Sequence, residues 1–166
     1  HLMTLVDPDV FEAAVHEFGR ARHIVVVAGG LSASPAIFLS HSLRVMGFNV
    51  HEVTAGGVPL SLERSILGPD DLLVTIGFWR YFRHIVDAMA WAKVRGTPRI
   101  AVTDSELSPL AQLADYAFIA NTDGVGHSVS PLAATALMEA FVVALSFERP
   151  QETLAALREV DTAYRE

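Results

Sequence analysis

Five short runs rich in β-branched residues recur along the chain, and segments with helical periodicity separate them. The runs are residues 24–28, 48–53, 72–76, 99–103 and 116–120. Such runs are typical of parallel strands buried on both faces of a sheet. Between them, apolar residues such as Ile85, Met89 and Ala92 recur at helical spacing. This alternation predicts right-handed βαβ units and a doubly wound α/β fold.

Helices are also predicted at both ends of the chain. Asp7 and Pro8 form the pattern of an N-cap followed by a first-turn proline, and an apolar face from Phe11 to Phe18 follows them. Near the other end, Pro150 separates two helices because proline cannot continue a helix. The last helix carries a thin apolar stripe between Leu154 and Tyr164. Both terminal helices are expected to pack on the sheet or on a partner.

The chain has the size of one domain. It contains 166 residues, 51% of them hydrophobic, with a mean hydropathy of +0.36. Residues 4–166 are therefore predicted to form a single domain, and residues 1–3 are interpreted as a cloning remnant of a longer protein. With no cysteine, no signal peptide and no run long enough to cross a bilayer, a cytoplasmic protein without membrane contact is expected.

Charge and histidine spacing narrow the classes of function. The net charge is −7 and the basic residues are scattered, so this chain is not expected to bind nucleic acid by itself. The 7 histidines form no HxH or HxxxH pair, which gives a transition-metal site little support. Neither a metal nor a cofactor is predicted.

Three strand-to-helix junctions, at residues 29–34, 77–83 and 103–109, are the candidate binding region. In open parallel sheets, ligands bind beyond the carboxyl ends of the strands, where the strand order reverses. At the first junction, Gly29 and Gly30 let the backbone approach a ligand, and Ser32 supplies a hydroxyl. Unpaired N–H groups of the following helix point outward and favour anions. The junction predicts a small phosphorylated or otherwise anionic metabolite.

The third junction carries the most specific motif. The run from Ile100 to Asp115, IAVTDSELSPLAQLAD, resembles the I-A-[IV]-T-[DN]-S-x-x-S-P-L-A-x-x-A-D signature of SIS (sugar isomerase) domains in RpiR-type bacterial transcription regulators. At the first junction, Gly30 and Ser32 match the family's G-x-G-x-S loop, although Ala28 replaces its first glycine. The resemblance extends over about residues 24–145.

The resemblance implies a three-layer sandwich with a five-stranded parallel sheet that binds a phosphosugar at the strand ends. It also implies dimerisation through helices, with a tetramer as the open alternative. In such regulators a helix-turn-helix domain precedes this one, so DNA would be bound only through that separate domain. The predicted function is effector sensing without conversion of the metabolite.

The second junction departs from the family pattern. Its phosphate loop, S-x-S-G-x-T, is replaced here by GFWRYF at residues 77–82, so the three hydroxyls of the motif are absent. Arg80 and Arg83 can replace them, since a guanidinium binds phosphate or carboxylate through charge-assisted hydrogen bonds. Phe78 and Trp79 offer an apolar wall to a ligand, or they pack in the core or in a dimer interface. The full set of predicted ligand contacts is Gly29, Gly30, Ser32, Ser34, Gly77, Trp79, Arg80, Arg83, Ser105 and His127.

Purely structural roles remain open for several of these residues. Ser34 before Pro35 has the pattern of a helix cap, and Ser108 before Pro109 has the same pattern. Two alternative functions also stay open. One is an aldose-ketose isomerase, with Glu63 as the base and His127 for ring opening, and the other is an oligomerisation module with a vestigial pocket.

Overall fold

The computed structural model describes residues 6–124 and 128–165 of the chain. Strands and helices alternate along it as predicted. A short 3₁₀ turn, Gly30–Ser32, follows the first strand. In chain order the elements are α1 (Pro8–Arg20), β1 (Ile24–Ala28), α2 (Ala33–Val45), β2 (Val50–Val53), α3 (Val58–Ile66), β3 (Leu72–Gly77), α4 (Arg83–Val94), β4 (Arg99–Thr103), α5 (Pro109–Leu113), β5 (Tyr116–Ile119), α6 (Leu132–Glu148) and α7 (Pro150–Arg165).

The five strands form one parallel sheet in the order β2-β1-β3-β4-β5. Ile24 of β1 is in register with Val50 on one side and with Leu72 on the other. The chain therefore builds outward in one direction from β1 to β2, and in the opposite direction from β3 to β5. The order reverses between β1 and β3, which places the ligand crevice of such sheets beyond their carboxyl ends.

Alternate side chains of the strands fill two separate cores, one on each face of the sheet. Val26 and Val74 pack with α1, α2 and α6, whereas Val25 and Leu73 pack with α3, α4 and α5. All four are fully buried. This two-sided burial explains why the strands are continuous apolar runs and confirms the predicted three-layer, doubly wound α/β sandwich.

The terminal helices begin where the sequence predicts. Asp7 caps α1, its carboxylate accepting hydrogen bonds from the N–H groups of Asp9 (2.9 Å) and Val10 (3.4 Å). α7 begins at Pro150, but most of its surface is exposed. Within the part of the chain that the structure describes, no helix is both long and apolar enough to cross a bilayer.

Four predicted boundaries differ from the structure. β3 ends one residue later than predicted, at Gly77, and β5 ends one residue earlier, at Ile119. β2 begins at Val50 rather than Phe48, because the Phe48 N–H donates to the Leu43 carbonyl (3.0 Å) and so closes the end of α2 instead of joining the sheet. α2 begins at Ala33, before the predicted Ser34 cap, because the 3₁₀ turn leads directly into it.

Candidate functional site

The loop after β1 is shaped by one glycine in the left-handed region. Gly30 has φ +59°, and the 3₁₀ turn that it begins is closed by the Ser32 N–H donating to the Gly29 carbonyl (3.2 Å). Ser32 is buried, and its hydroxyl makes no hydrogen bond within the described residues. An N–H-rich turn with a free hydroxyl is a suitable place for an anion.

Ser34 has a different role from the predicted cap. It is the second residue of α2, it is exposed, and its hydroxyl donates to the Leu31 carbonyl at 3.2 Å. The cap prediction is wrong because the left-handed Gly30 starts the helical turn earlier than the Ser-Pro pair suggests. The expected ligand contact of Ser34 stays a prediction.

The loop after β3 is held in a strained conformation by Asp104, which follows β4. Trp79 has φ +62°, a region that bulky side chains rarely adopt and that costs about 1–3 kcal/mol. The Asp104 carboxylate accepts hydrogen bonds from the Trp79 N–H (2.8 Å) and from the Tyr81 hydroxyl (2.6 Å). Burial, and then the bond to Asp104, raises the pKa of Tyr81, so this hydroxyl stays a donor.

The strained turn projects an aromatic ring and a cation away from the sheet. The Trp79 side chain is 64% exposed, and the guanidinium of Arg80 lies 4.7 Å from its ring centroid. The neighbouring Phe78 is instead buried in the core, so of the two aromatic residues only Trp79 faces outward. A side chain at Gly77 would require Leu110 to move, because a Cβ there would lie 2.7 Å from Leu110 Cδ1.

The loops that follow β1, β2 and β3 meet around Phe82 and His84. The Phe82 ring lies against the first loop, 3.0 Å from the position of a Cβ on Gly29, and it stacks on His84 with centroids 5.6 Å apart. The His84 ring in turn packs against Gly56, which follows β2. His84 Nε2 is buried without a hydrogen-bond partner among the described residues.

Sequence reasoning misses the central position of this pair. The sequence identifies Phe82 only as the residue that replaces the last hydroxyl of the phosphate motif, and His84 is absent from the predicted set of contacts. The strand-order rule is the signal that points to both, because they lie at the start of the helix that follows β3 at the switch point.

Two other predicted contacts, Arg83 and Ser105, have distinct surroundings. Arg83 begins α4 with an exposed side chain, and its Nε lies 3.9 Å from the Asp87 carboxylate. The Ser105 hydroxyl accepts a hydrogen bond from the Leu107 N–H (3.1 Å), which stabilises the turn after β4. His127 lies outside the described residues. The predicted cap of α5 is confirmed, since the Ser108 hydroxyl accepts from the Ala111 N–H at 3.0 Å.

Glu63, the base of the isomerase alternative, lies away from the strand ends. Its Oε1 is 2.8 Å from His51 Nδ1, and its Oε2 is 3.6 Å from His23 Nε2. His51 is in register with Val25, and β1 continues for three more residues to Ala28, or about 10 Å toward the candidate site. The structure thus places Glu63 in a separate cluster with two histidines.

Comparisons with known proteins agree with this architecture. The SIS domain family matches residues 17–147. The sugar isomerase domain of an RpiR transcription factor from Sphaerobacter thermophilus is 40% identical, with 97% of this chain and 90% of that chain covered and a TM-score of 0.93. No match is found among curated proteins.

Two more distant structures share the fold. The Vibrio vulnificus NanR protein, complexed with ManNAc-6P, is 18% identical, covers 98% of this chain and 62% of its own, and has a TM-score of 0.83. The c3406 protein of E. coli CFT073 is 21% identical, covers 96% and 89%, and has a TM-score of 0.76. The family match over residues 17–147 and the 40% identical RpiR domain show that the chain belongs to the SIS domain family and is a domain of the RpiR regulator type.

Proposed function

We propose that this domain senses a sugar phosphate or a related anionic metabolite for a transcription regulator and does not convert it. The observation that carries the proposal is the meeting of the three strand-end loops at Phe82 and His84, beside the exposed Arg80. DNA contact is assigned to a separate helix-turn-helix domain, in keeping with the net charge of −7 of this chain.

Each part of the strand-end surface has a role in this proposal. The anionic group lies at the start of α2, where the N–H groups of the 3₁₀ turn and the Ser32 hydroxyl face it. Arg80 supplies the positive charge that replaces the missing hydroxyls. The ring of Trp79 covers the apolar face of the sugar. His84, in the first turn of α4, offers its unpaired Nε2 as a polar contact.

The known ligand of one relative supports this class of metabolite. The NanR structure holds ManNAc-6P, a phosphorylated sugar, and the 40% identical relative is the sugar isomerase domain of a transcription factor. The change from hydroxyls to Arg80 at the second loop suggests that the ligand differs in its anionic group or in its sugar from those that bind a hydroxyl-rich loop.

Sensing is favoured over isomerisation because the candidate base is not near the candidate substrate. A base must reach the C2 proton of a substrate whose phosphate is bound at the strand ends. Glu63 is instead hydrogen-bonded to His51, toward the amino-terminal half of β2. We therefore expect no turnover of any metabolite that binds.

The first test is a thermal-shift screen followed by calorimetry. Pentose, hexose and N-acetylhexosamine phosphates, sugar acids and simple carboxylates are compared, and a ligand at about 100 times its Kd adds about 2.7 kcal/mol to stability. For the ligand found, Arg80→Ala should weaken binding by about 10- to 150-fold, because a charge-assisted hydrogen bond contributes about 1.5–3 kcal/mol. Ser32→Ala should weaken it less, by about 2- to 10-fold, because a hydrogen bond from a neutral donor contributes about 0.5–1.5 kcal/mol.

Arg64 provides a matched control for Arg80. Its guanidinium also lies over a tryptophan ring, 5.2 Å from the centroid of Trp91, but on α3 rather than at the strand ends. Arg64→Ala should leave the affinity unchanged. Unchanged affinity in Arg80→Ala would contradict the proposed site, and a screen without any stabilising anion would favour the oligomerisation module. NMR detection of a product would show that the domain is an isomerase.

Dimerisation through α6 and α7 is part of the same proposal. Phe147, Leu154, Leu157 and Val160 leave an apolar surface exposed along α6 and α7. We expect light scattering to give twice the 18.0 kDa chain mass. Leu157→Asp should give a monomer, because it places a charge in the apolar interface. Val94→Asp, an equally polar change at an exposed residue of α4, should leave the dimer intact. A dimer that persists in Leu157→Asp would show that the interface lies on another surface of the domain.

A further inference from the structure

Three potential metal ligands meet on the face of the sheet that α3 covers. His23 immediately precedes β1, His51 lies on β2, and Glu63 lies on α3. Their ligand atoms all lie within 4.8 Å of one another. Because the three residues are far apart in the sequence, no local motif indicates this cluster, and it is separate from the strand-end surface of the proposed function.

Two polar atoms of the cluster are buried and unpaired. His23 Nε2 and Glu63 Oε2 are 3.6 Å apart, too far for a hydrogen bond, and neither has another partner among the described residues. A buried polar atom without a partner is costly, and a carboxylate oxygen is more so. A cation bound between His23 Nε2 and Glu63 Oε2 would give both atoms a partner.

The burial of both side chains excludes water as the missing partner. The side chains of His23 and Glu63 are only 7% and 18% exposed, and the two facing atoms are themselves shielded from solvent. An imidazole nitrogen lone pair and a carboxylate oxygen are both groups that bind metal ions.

The spacing of the cluster matches a small divalent cation. Zinc binds imidazole nitrogen and carboxylate oxygen at about 2.0–2.2 Å, so tetrahedral ligands lie about 3.3–3.5 Å apart. The gap between His23 and Glu63 is 3.6 Å, and that between His51 and Glu63 is 2.8 Å. The remaining ligand atoms lie within 4.8 Å of one another, so binding of one tetrahedral ion requires the wider separations to close toward the same spacing.

We propose that His23, His51 and Glu63 form a binding site for a zinc-like transition metal ion. Two imidazoles and one carboxylate provide three ligands, which leaves the fourth position open. His51 and Glu63 also line a surface cavity of about 450 Å³, from which water or a small anion can reach that position. The bound ion ties α3 to the starts of β1 and β2.

The test is a Zn²⁺ titration of the metal-stripped chain by calorimetry. One ion per chain should bind. His51→Ala and Glu63→Gln should each weaken binding by about 100-fold or more, because loss of even an outer partner of a metal ligand costs about 10–100-fold. His41→Ala should leave the affinity unchanged, because His41 is an exposed histidine on α2, outside the cluster.

NMR and Co²⁺ absorption spectra of the unmodified chain test the site without requiring that any variant folds. On Zn²⁺ addition, the side-chain ¹⁵N signals of His23 and His51 should shift together, while those of His41 should stay in place. Co²⁺ should give the intense visible bands of a four-coordinate site. Unchanged His23 and His51 signals, or weak binding of several ions to every variant, would overturn the site. Either result is independent of sugar phosphate binding, which is measured in the presence of a chelator.

Discussion

Phe141→Ala should lower the free energy of unfolding by about 3–5 kcal/mol. Phe141 is fully buried in α6, at the centre of an aromatic cluster between the helices and the sheet. Its ring stacks on Phe11 with centroids 4.7 Å apart, and it contacts Phe18 at 5.2 Å and Phe118 at 5.3 Å. Truncation therefore removes contacts that join α1, α6 and β5, and it leaves a cavity that rigid neighbours on three elements cannot close.

Urea unfolding followed by circular dichroism measures this loss, and Leu132 supplies the control. Leu132 lies on the same helix but is 72% exposed and outside the proposed dimer surface, so Leu132→Ala should change the free energy of unfolding by less than about 0.5 kcal/mol. If Phe141→Ala does not fold, Phe141→Leu should still fold and lose a smaller amount, about 1–2 kcal/mol. Equal stability of the two alanine variants would show that the aromatic cluster does not hold the layers together.

The strands could be predicted because strands that are buried on both faces appear in the sequence as continuous apolar runs. The predicted bounds of Ile24–Ala28 and Arg99–Thr103 match the structure to the residue, since every position in them is buried. β2 is predicted less well because it is an edge strand, in which His51 and Glu52 are not buried. An edge strand lacks a neighbour on one side and so does not need a continuous apolar run.

The start of α2 could not be predicted because it depends on a backbone conformation. A Ser-Pro pair is an adequate signal for a cap when the preceding residue is extended. Here Gly30 has φ +59° and begins the turn before Ser34 is reached. Glycine allows this conformation without requiring it, so the sequence leaves both starts open.

The candidate binding surface could be predicted in its location and only partly in its members. The rule for strand order is a property of topology, so it identifies the junctions that matter. It does not indicate which side chains of a junction turn inward. The rings of Phe82 and His84 pack against the loops after β1 and β2, although Phe82 is still 41% exposed, whereas the side chain of Arg83 is 95% exposed.

The same limit applies with more force to the cluster of His23, His51 and Glu63. Metal-ligand motifs are recognisable when their residues lie on one helix or loop. These three come from separate elements, which only the register of β1 with β2 and the packing of α3 bring together. The absence of HxH and HxxxH pairs therefore counts only against a metal site formed within one helix or loop.

The family signature at residues 100–115 ends in an aspartate whose role the structure explains. Asp115 accepts hydrogen bonds from the Arg99 backbone N–H (2.9 Å) and from its guanidinium (2.6 Å). Asp115 directly precedes β5, and Arg99 is the first residue of β4. The aspartate therefore fixes the start of one strand against the start of the next, so this end of the signature has a structural role.

Arg99→Met should lower the free energy of unfolding by about 2–4 kcal/mol, since the buried guanidinium bonds three different partners. Besides Asp115, it donates to the carbonyls of Thr97 and Leu113, each at 2.7 Å. Methionine fills a similar volume but leaves both carbonyls without these donors. Asp115 is 42% exposed and can be hydrated, which keeps the loss below that of a fully buried pair.

Urea unfolding with Arg83→Met as the comparison isolates the effect of burial. Arg83 also lies near a carboxylate, but its side chain is 95% exposed, so its removal should change stability by less than about 0.5 kcal/mol. Asp115→Asn should fall between the two, because it removes the charge and keeps an acceptor for the Arg99 N–H. If Arg99→Met were as stable as the unmodified chain, the start of β4 would be held by its sheet hydrogen bonds alone, and the aspartate of the signature would need another explanation.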